Sequence, residues 1–548
     1  MKYYPKEAID TYPPESTVYR YLYDSNKDFL KDIALIFYGK KITYEKMFAE
    51  ADRVAASFTK YAIKENDNVV FLMPAVPELI YSILGLNKIG ANVILLNPTF
   101  SEEQLLNLII ESEAKLLLTI NELFGKVEGI ISDTQIETIV SFSAVNSLGP
   151  MVRVLQGTKR AKRTVTWKQF YDSGENVAVK EADYQANRSV IMVFSSGSTG
   201  ASKGIQLSNG GINANICDSQ FIVFDKKRQD IWFDPIPIWF STSIISSVIY
   251  PLLYGISVIL EPIYDFKIFE KHIHKYHPNF VITAVGLANH LYTHKSKDWK
   301  YFKYFVIGGE YIAPVADEMY SKAMIESGAI QGLHKGYGMC ELSGANAASG
   351  YMQNVRGSAG YPIPHVMIAA FDPDTNEELK YGERGEIRVC SPSRMKGYYK
   401  RPEATAEFFF TDKNGNVWAK TGDMGYMDED GNLFISGRMS DSYINDADET
   451  IYLFDVERAI LDVADVRQCK AVVSVVNGVK THVCHFSLYE DKDITEVLSN
   501  VDAYLKGKLK ENHIPHLYKF YSDALPVSLS GKLDVLKMQK DVENLIEV

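Results

Sequence analysis

The stretch that decides the fold is Val193–Asn209, "VFSSGSTGASKGIQLSN". An apolar run ends at Phe194, serine, threonine and glycine then crowd around Lys203, and order resumes at once in "KGIQLS". Gly197, Gly200 and Gly204 let the backbone turn tightly and approach a ligand closely. Ser195, Ser196, Ser198, Thr199 and Ser202 supply hydroxyls, exposed amides add donors, and Lys203 adds positive charge, a combination that suits a polyphosphate. The loop is not a Walker A sequence: counted from Gly197, Ser202 stands where glycine is required, and Gly204 follows the lysine where a hydroxyl residue is required. No GxGxxG dinucleotide signature exists either, because "GYGMCE" ends in Glu341. The competing interpretation, a flexible Ser/Gly linker, does not explain the apolar run before the loop or the order after it.

Working outward, the chain alternates. "NVVFLM" predicts a buried strand, "PELIYSILGLNKIG" a helix ending at Gly90, and "NVILLN" another strand. "SEEQLLNLIIESEAK" opens with Ser101 and Gln104 at capping-box spacing and carries Leu105, Leu108 and Ile109 on one face, before "LLLTI" returns to strand. This order implies parallel strands covered by helices, an α/β fold. The pattern recurs around "SVIMVF", "SVILEP", "FVITAV" and "YFVIGG". From Asp372 to Asp430, short strand-like runs separated by Asp/Asn/Gly turns predict a small β-rich subdomain. After Arg438 the sequence reads as an α+β tail, giving a large N-terminal domain of mixed and parallel sheets over 1–437 and a small C-terminal domain over 438–548.

Composition limits the function classes. The 548 residues are 46% hydrophobic and 23% charged, a globular balance too long for one core. A net charge of −11 gives no basic field for nucleic acid. The basic run Lys159–Arg163, "KRAKR", reads as a solvated loop, with a landing patch for an acidic partner or phosphate as the sharper alternative. Five scattered cysteines without CxxC spacing imply neither a disulfide framework nor a zinc site. The N-terminus lacks the apolar core of a signal peptide. The apolar region from Val69 to Leu96 is broken by Pro74, Pro77, Glu78 and Lys88, so no membrane span is expected and the default is a soluble, cytoplasmic protein.

The first loop has companions in a fixed order: "GYGMCE" (Gly336–Glu341), "KTGDMGYMDEDGNLFISGR" (Lys420–Arg438) and "LPVSLSGKLD" (Leu525–Asp534). Together they resemble the adenylate-forming ligase superfamily, which contains acyl- and aryl-CoA synthetases, carrier-protein adenylation domains and beetle luciferases. The resemblance covers nearly the whole chain and implies a large α/β domain followed by a small, mobile C-terminal domain. It implies a nucleotide site of Ser195, Ser196, Gly197, Ser198, Thr199, Gly200, Lys203, Gly309, Tyr337, Gly338, Cys340, Asp423 and Arg438. Within it Thr199 and Lys203 clamp the β- and γ-phosphates, Tyr337 stacks on adenine and Asp423 accepts the ribose hydroxyls. Arg438 lies near the ribose and α-phosphate. Glu341, with Thr199, is implied as the Mg2+ site; a carboxylate suits a hard cation bridging phosphates. Lys532 matches the lysine that touches the substrate carboxylate and α-phosphate, and Asp441 the hinge aspartate. Lys532, Lys203, Glu341 and Arg438 are thus the implied catalytic set. Three of these residues have a bland alternative: Asp423 closing a turn, Glu341 capping a helix, Lys532 simply exposed.

The chain departs from the superfamily pattern at several points. Cys340 replaces a threonine, a thiol being the weaker donor. Ser440 replaces the lysine of "GRxKD", and "INDADETIY" replaces a glycine-containing loop that moves against the pantetheine tunnel in thioester-forming members. Phe240 stands where "PLFH" has histidine. The acid pocket is expected around Trp239, Phe240, Ser241 and Gly286. Ser241 sits where amino-acid-activating members carry aspartate, which argues against an α-amino acid, and Trp239, Phe240 and Ile244 suit a fatty or aromatic acid. Plain core packing is the alternative for these three. The expected activity is ATP-dependent activation of a carboxylic acid to an acyl-adenylate, with pyrophosphate release and transfer to CoA. The alternatives are a carrier-protein phosphopantetheine or an amine as acceptor, or a catalytically degenerate nucleotide- or acyl-binding protein.

Overall fold

The computed structural model describes residues 3–148, 164–195, 202–223, 225–294, 298–350, 354–444, 449–527 and 533–548. Two large sheets form the body, one of eight strands and one of nine among the described residues. The strands alternate faces, and that alternation sorts their side chains into layers. In the eight-stranded sheet Val69, Phe71, Val93, Leu95, Leu116 and Leu118 point into a central core. Val70, Leu72, Ile94 and Leu117 point outward beneath the helix Glu102–Ser112. In the nine-stranded sheet Trp232, Val258 and Phe280 face the central core, whereas Phe233, Ile259 and Val281 face an outer one. Helices Tyr44–Lys60 and Pro77–Lys88 fill the space between the sheets, and the second is buried from Pro77 to Asn87, as its nearly uninterrupted apolar sequence requires.

The strand and helix expectations from 68 to 120 all hold. The strands Asn68–Leu72, Asn92–Leu95 and Leu116–Ile120 are mutually parallel. The capping box forms: Gln104 N donates to Ser101 Oγ at 3.2 Å, and Ser101 N donates to Gln104 Oε1 at 2.9 Å. No helix among the described residues is long and apolar enough to cross a membrane. None of the five cysteines is in a disulfide.

The β-rich segment is a five-stranded sheet. Its long strand, Val417–Met427, absorbs both "VWAK" and "TGD", so Asp423 belongs to a strand and does not close a simple turn. The ladder to Gly385–Cys390 skips Thr421 and Gly422, with Ile387 opposite Asp423 and Arg388 opposite Lys420. Gly422 supplies the left-handed φ of +69° that such a bulge needs. The strand Leu433–Arg438 pairs alongside, so Arg438 is held within this sheet by register with Asp423.

Beyond it, a small C-terminal domain has its own core of Ile451, Leu453, Val456, Phe486, Val501 and Tyr518 around a four-stranded sheet. It packs on the large domain at a few specific points. Phe454 lies so close to Gly437 that a Cβ there would be 2.4 Å from its ring. Asp455 pairs with Arg384 at 2.8 Å, and Arg458 stacks 4.5 Å from the Tyr311 ring centre and donates to the Ile435 carbonyl. "KRAKR", residues 196–200, Lys532 and residues 445–448 of the altered segment "INDADETIY" lie outside the described residues.

Candidate active site at the strand ends

Neighbouring parallel strands Ile231–Asp234, Phe280–Thr283, Tyr304–Gly308 and Leu333–Met339 end on one side of the nine-stranded sheet. Open α/β sheets bind ligands beyond the C-terminal ends of such strands. Most of the expected site emerges there: Trp239, Phe240 and Ser241 after the first, Gly286 after the second, Gly309 after the third, and Tyr337 to Glu341 at the fourth.

Leu333–Met339 delivers Tyr337 and Gly338, and the chain then turns through a short 3-10 segment, Cys340–Leu342, that carries Glu341. Only glycine fits at 338, because a Cβ there would lie 1.9 Å from the Gly344 carbonyl oxygen. The β-rich sheet brings its own groups across. Tyr337 donates its hydroxyl to Asp423 Oδ2 at 2.7 Å, and Arg438 Nε sits 3.0 Å from Asp423 Oδ1. Arg438 Nη1 donates to the Thr421 carbonyl at 2.7 Å. The bulge itself is pinned, with Asp423 N donating to Thr421 Oγ1 at 3.1 Å and Thr421 Oγ1 donating to the Ile387 carbonyl at 2.5 Å. Burial and the adjacent carboxylate hold the Tyr337 phenol far above its ordinary range, so it stays a proton donor.

The other end of the cleft is built differently. The loop after Phe194 is closed at its base: Ser195 N donates to the Lys203 carbonyl at 3.1 Å, and Lys203 N donates to Ser195 Oγ at 3.2 Å. The antiparallel strands Ser189–Phe194 and Gly204–Ser208 thus flank the loop as the sequence predicts. The Lys203 ammonium lies 4.9 Å from the ring centre of Tyr398. Tyr398 in turn donates its hydroxyl to Glu341 Oε1 at 3.0 Å. Glu341 is buried, which pushes its carboxyl up; its own backbone amide, Tyr398 and the fields of Arg438 and Lys203 push it back. Tyr398 is the site residue that sequence reasoning missed. It lies 57 positions from Glu341, and no spacing rule links them.

A magnesium ion fits this chemistry in part. Glu341 is a hard oxygen donor with acceptor capacity beyond its bond from Tyr398, and Mg2+ is usually held by one or two carboxylates with substrate phosphates and water. Thr199, the other residue implied for the metal, lies outside the described residues. So does Lys532, but its neighbour is placed: Leu533 N donates to Glu310 Oε1 at 2.6 Å, on the loop that carries Gly309.

On the acid side Trp239 is buried and Phe240 half-buried, their ring centres 6.4 Å apart, with Tyr264 6.0 Å from Trp239. Ser241 is fully buried at the head of an unusual π-helical turn, Thr242–Ile249. Sequence reasoning sought an anion at 241 and passed over Asp234. That carboxyl accepts from Ser243 Oγ at 2.6 Å and Ile236 N at 3.2 Å, and burial pushes it up to about 7. Asp441, expected to be the hinge residue, is 3.1 Å from the Lys470 ammonium, which also pairs with half-buried Glu457 at 2.8 Å.

Fold and cleft together define an adenylate-forming enzyme. Residues 22–399 match the family described as AMP-binding enzyme, and the chain belongs to that family. It is 26% identical to a long-chain-fatty-acid–CoA ligase of Bacillus subtilis over 97% of this chain and 95% of that protein. It is also 26% identical to a 2-succinylbenzoate–CoA ligase of Bacillus velezensis, over 91% and 93%. Among solved structures, ATP-bound MatB from Rhodopseudomonas palustris superposes with a TM-score of 0.80 at 20% identity, covering 96% of this chain and 98% of that one.

Proposed function

We propose that the chain is an ATP-dependent acid–CoA ligase that works through an acyl-adenylate, on a fatty or aromatic acid. The observation that carries this is the convergence of Lys203, Glu341, Asp423 and Arg438, from distant parts of the sequence, on one cleft at the strand ends. Both reactants of the first step are anions, so the site must supply positive charge where negative charge develops. Asp423 and Arg438 orient the ribose, with the Tyr337 ring against adenine. Lys203 meets the outer phosphates, Lys532 meets the acid carboxylate and the α-phosphate, and Glu341 with Thr199 holds the magnesium. The bound ion supplies charge neutralisation on the triphosphate. The acid carboxylate attacks the α-phosphorus, a P–O bond forms, and the bond to pyrophosphate breaks. The CoA thiol then attacks the acyl carbon and AMP leaves.

The acid lies against Trp239, Phe240, Ser241 and Gly286, and the large domain ends near Gly437. Asp441 is the point about which the small domain turns, and the Lys470–Asp441 pair ties that point to the core of the small domain. An acid panel with ATP, with and without CoA, read by mass spectrometry, tests the whole scheme. Acyl-AMP without CoA and acyl-CoA with it are expected. Acyl-AMP that never becomes acyl-CoA would shift the acceptor to a carrier-protein phosphopantetheine or an amine.

A further inference from the structure

We propose that Tyr398 is a positioning residue that couples the phosphate loop to the magnesium-binding carboxylate. Its place is set by backbone pairing. The short strand Gly397–Tyr398 pairs antiparallel with Gly204–Ser208, so Tyr398 sits opposite Ile205, beside the exit of the glycine-rich loop. The backbone N of Tyr398 donates to Thr405 Oγ1 at 2.9 Å, which fixes the residue from the other side. From there the side chain does two things. Its hydroxyl donates to Glu341 Oε1 at 3.0 Å and so restrains the orientation of that carboxylate. Its ring face lies 4.9 Å from the Lys203 ammonium, the contact the structure gives that ammonium among the described residues. A partner that orients a ligating carboxylate contributes to metal affinity without touching the metal. A ring beneath an ammonium restrains it electrostatically without neutralising it, so Lys203 is held near the carboxylate and keeps its charge for phosphate. One phenol therefore sets the spacing between the positive and negative groups that a magnesium–triphosphate must bridge.

The coupling rests on the assignment of the cleft as the MgATP site, and the test separates the two. Binding of a non-hydrolysable ATP analogue is measured by equilibrium dialysis across a magnesium titration. In wild type, magnesium is expected to tighten binding. Tyr398→Phe keeps the ring and should need about 10-fold more magnesium for half-maximal tightening, and a wild-type circular dichroism spectrum shows that the variant is folded. Tyr398→Leu removes the ring as well and should in addition weaken magnesium-free binding by about two- to fivefold. In a Glu341→Gln background, Tyr398→Phe should add nothing, because the hydroxyl acts through that carboxylate. A magnesium requirement within twofold of wild type in Tyr398→Phe overturns the proposal. So does an equal shift in the Glu341→Gln background. Wild-type binding that ignores magnesium removes the MgATP site itself and the proposal with it.

Discussion

Asp423 and Glu341 are both buried carboxylates of the same cleft, and their surroundings differ in kind. Asp423 has an arginine 3.0 Å from one oxygen and a phenol 2.7 Å from the other, both fixed by strand register and a pinned bulge. Glu341 accepts from the Tyr398 phenol at 3.0 Å and is stabilised by its own backbone amide, while Lys203 and Arg438 act on it through their fields. The end of the site around Asp423, proposed for the nucleoside, is thus part of the fold, neutralised before any ligand arrives. At the end proposed for the phosphates, neither Glu341 nor Lys203 forms an ion pair among the described residues, an arrangement that is costly in isolation and useful if a metal–triphosphate supplies both missing charges.

That contrast can be broken most severely at Lys203. Lys203→Ala should slow acid-dependent turnover by about 10²- to 10³-fold, roughly 3 kcal/mol of barrier. Thermal stability should change little, because among the described residues the ammonium rests on a ring and forms no ion pair. A drop of several degrees in the melting midpoint would show that the phosphate end is structural after all. Asp423→Ala should do the reverse mixture. It takes one acceptor from Arg438, which keeps the Thr421 carbonyl, and the carboxylate from the Tyr337 hydroxyl, so about 1–3 kcal/mol of stability should go, together with about 10- to 100-fold in nucleotide affinity. Denaturation and calorimetry on the same sample check both; lost affinity at full stability would place the nucleoside end with the phosphate end.

Much of this was legible in the sequence. Alternating apolar runs marked the layers, the Ser101 capping box formed as spaced, and Lys203, Glu341 and Arg438, from three of the motifs, lie within one another's fields. Three features were not legible. Asp423 reads as a turn residue because "TGD" looks like one, and only the neighbouring strand Gly385–Cys390 reveals a bulge within a continuous strand. Tyr398 reaches Glu341 through pairing of its two-residue strand with Gly204–Ser208, a contact without local periodicity. Asp234 ends an apolar strand, and nothing in the run shows that Ser243 will fold back over it.

Asp234 sharpens the comparison by offering a carboxyl held, among the described residues, by hydrogen bonds from Ser243 and Ile236 and by no ion pair. Its folded-state pKa, about 7, lies above the ordinary 3.8, so between those values the folded chain holds a proton that the unfolded chain has lost. Its contribution to stability therefore falls as pH rises through that window. Relative to wild type, Asp234→Asn should gain about 2–3 kcal/mol of stability between pH 5 and pH 8, at about 1.4 kcal/mol per pH unit. Buried His482 and His485, lowered to about 4 from 6.5, act with the opposite sign, their contribution rising from pH 4 to 6.5. Urea denaturation at the two pH values isolates the aspartate; a constant difference between wild type and variant would mean that Asp234 stays ionised. The smallest expected effect is at Tyr337. Tyr337→Phe keeps the ring against adenine and removes one hydrogen bond, so nucleotide affinity should change by about 1 kcal/mol or less. A larger loss would mean that the hydroxyl, not the ring, does the recognising.

The most direct test of the central claim is exchange of labelled pyrophosphate into ATP, run with a panel of carboxylic acids. Convergent charge that lets a triphosphate and a carboxylate react predicts exchange that requires magnesium and at least one acid of the panel, and that Lys203→Ala nearly abolishes. ATP binding without exchange, whatever acid is added, would contradict it and leave a nucleotide-binding protein in place of a ligase.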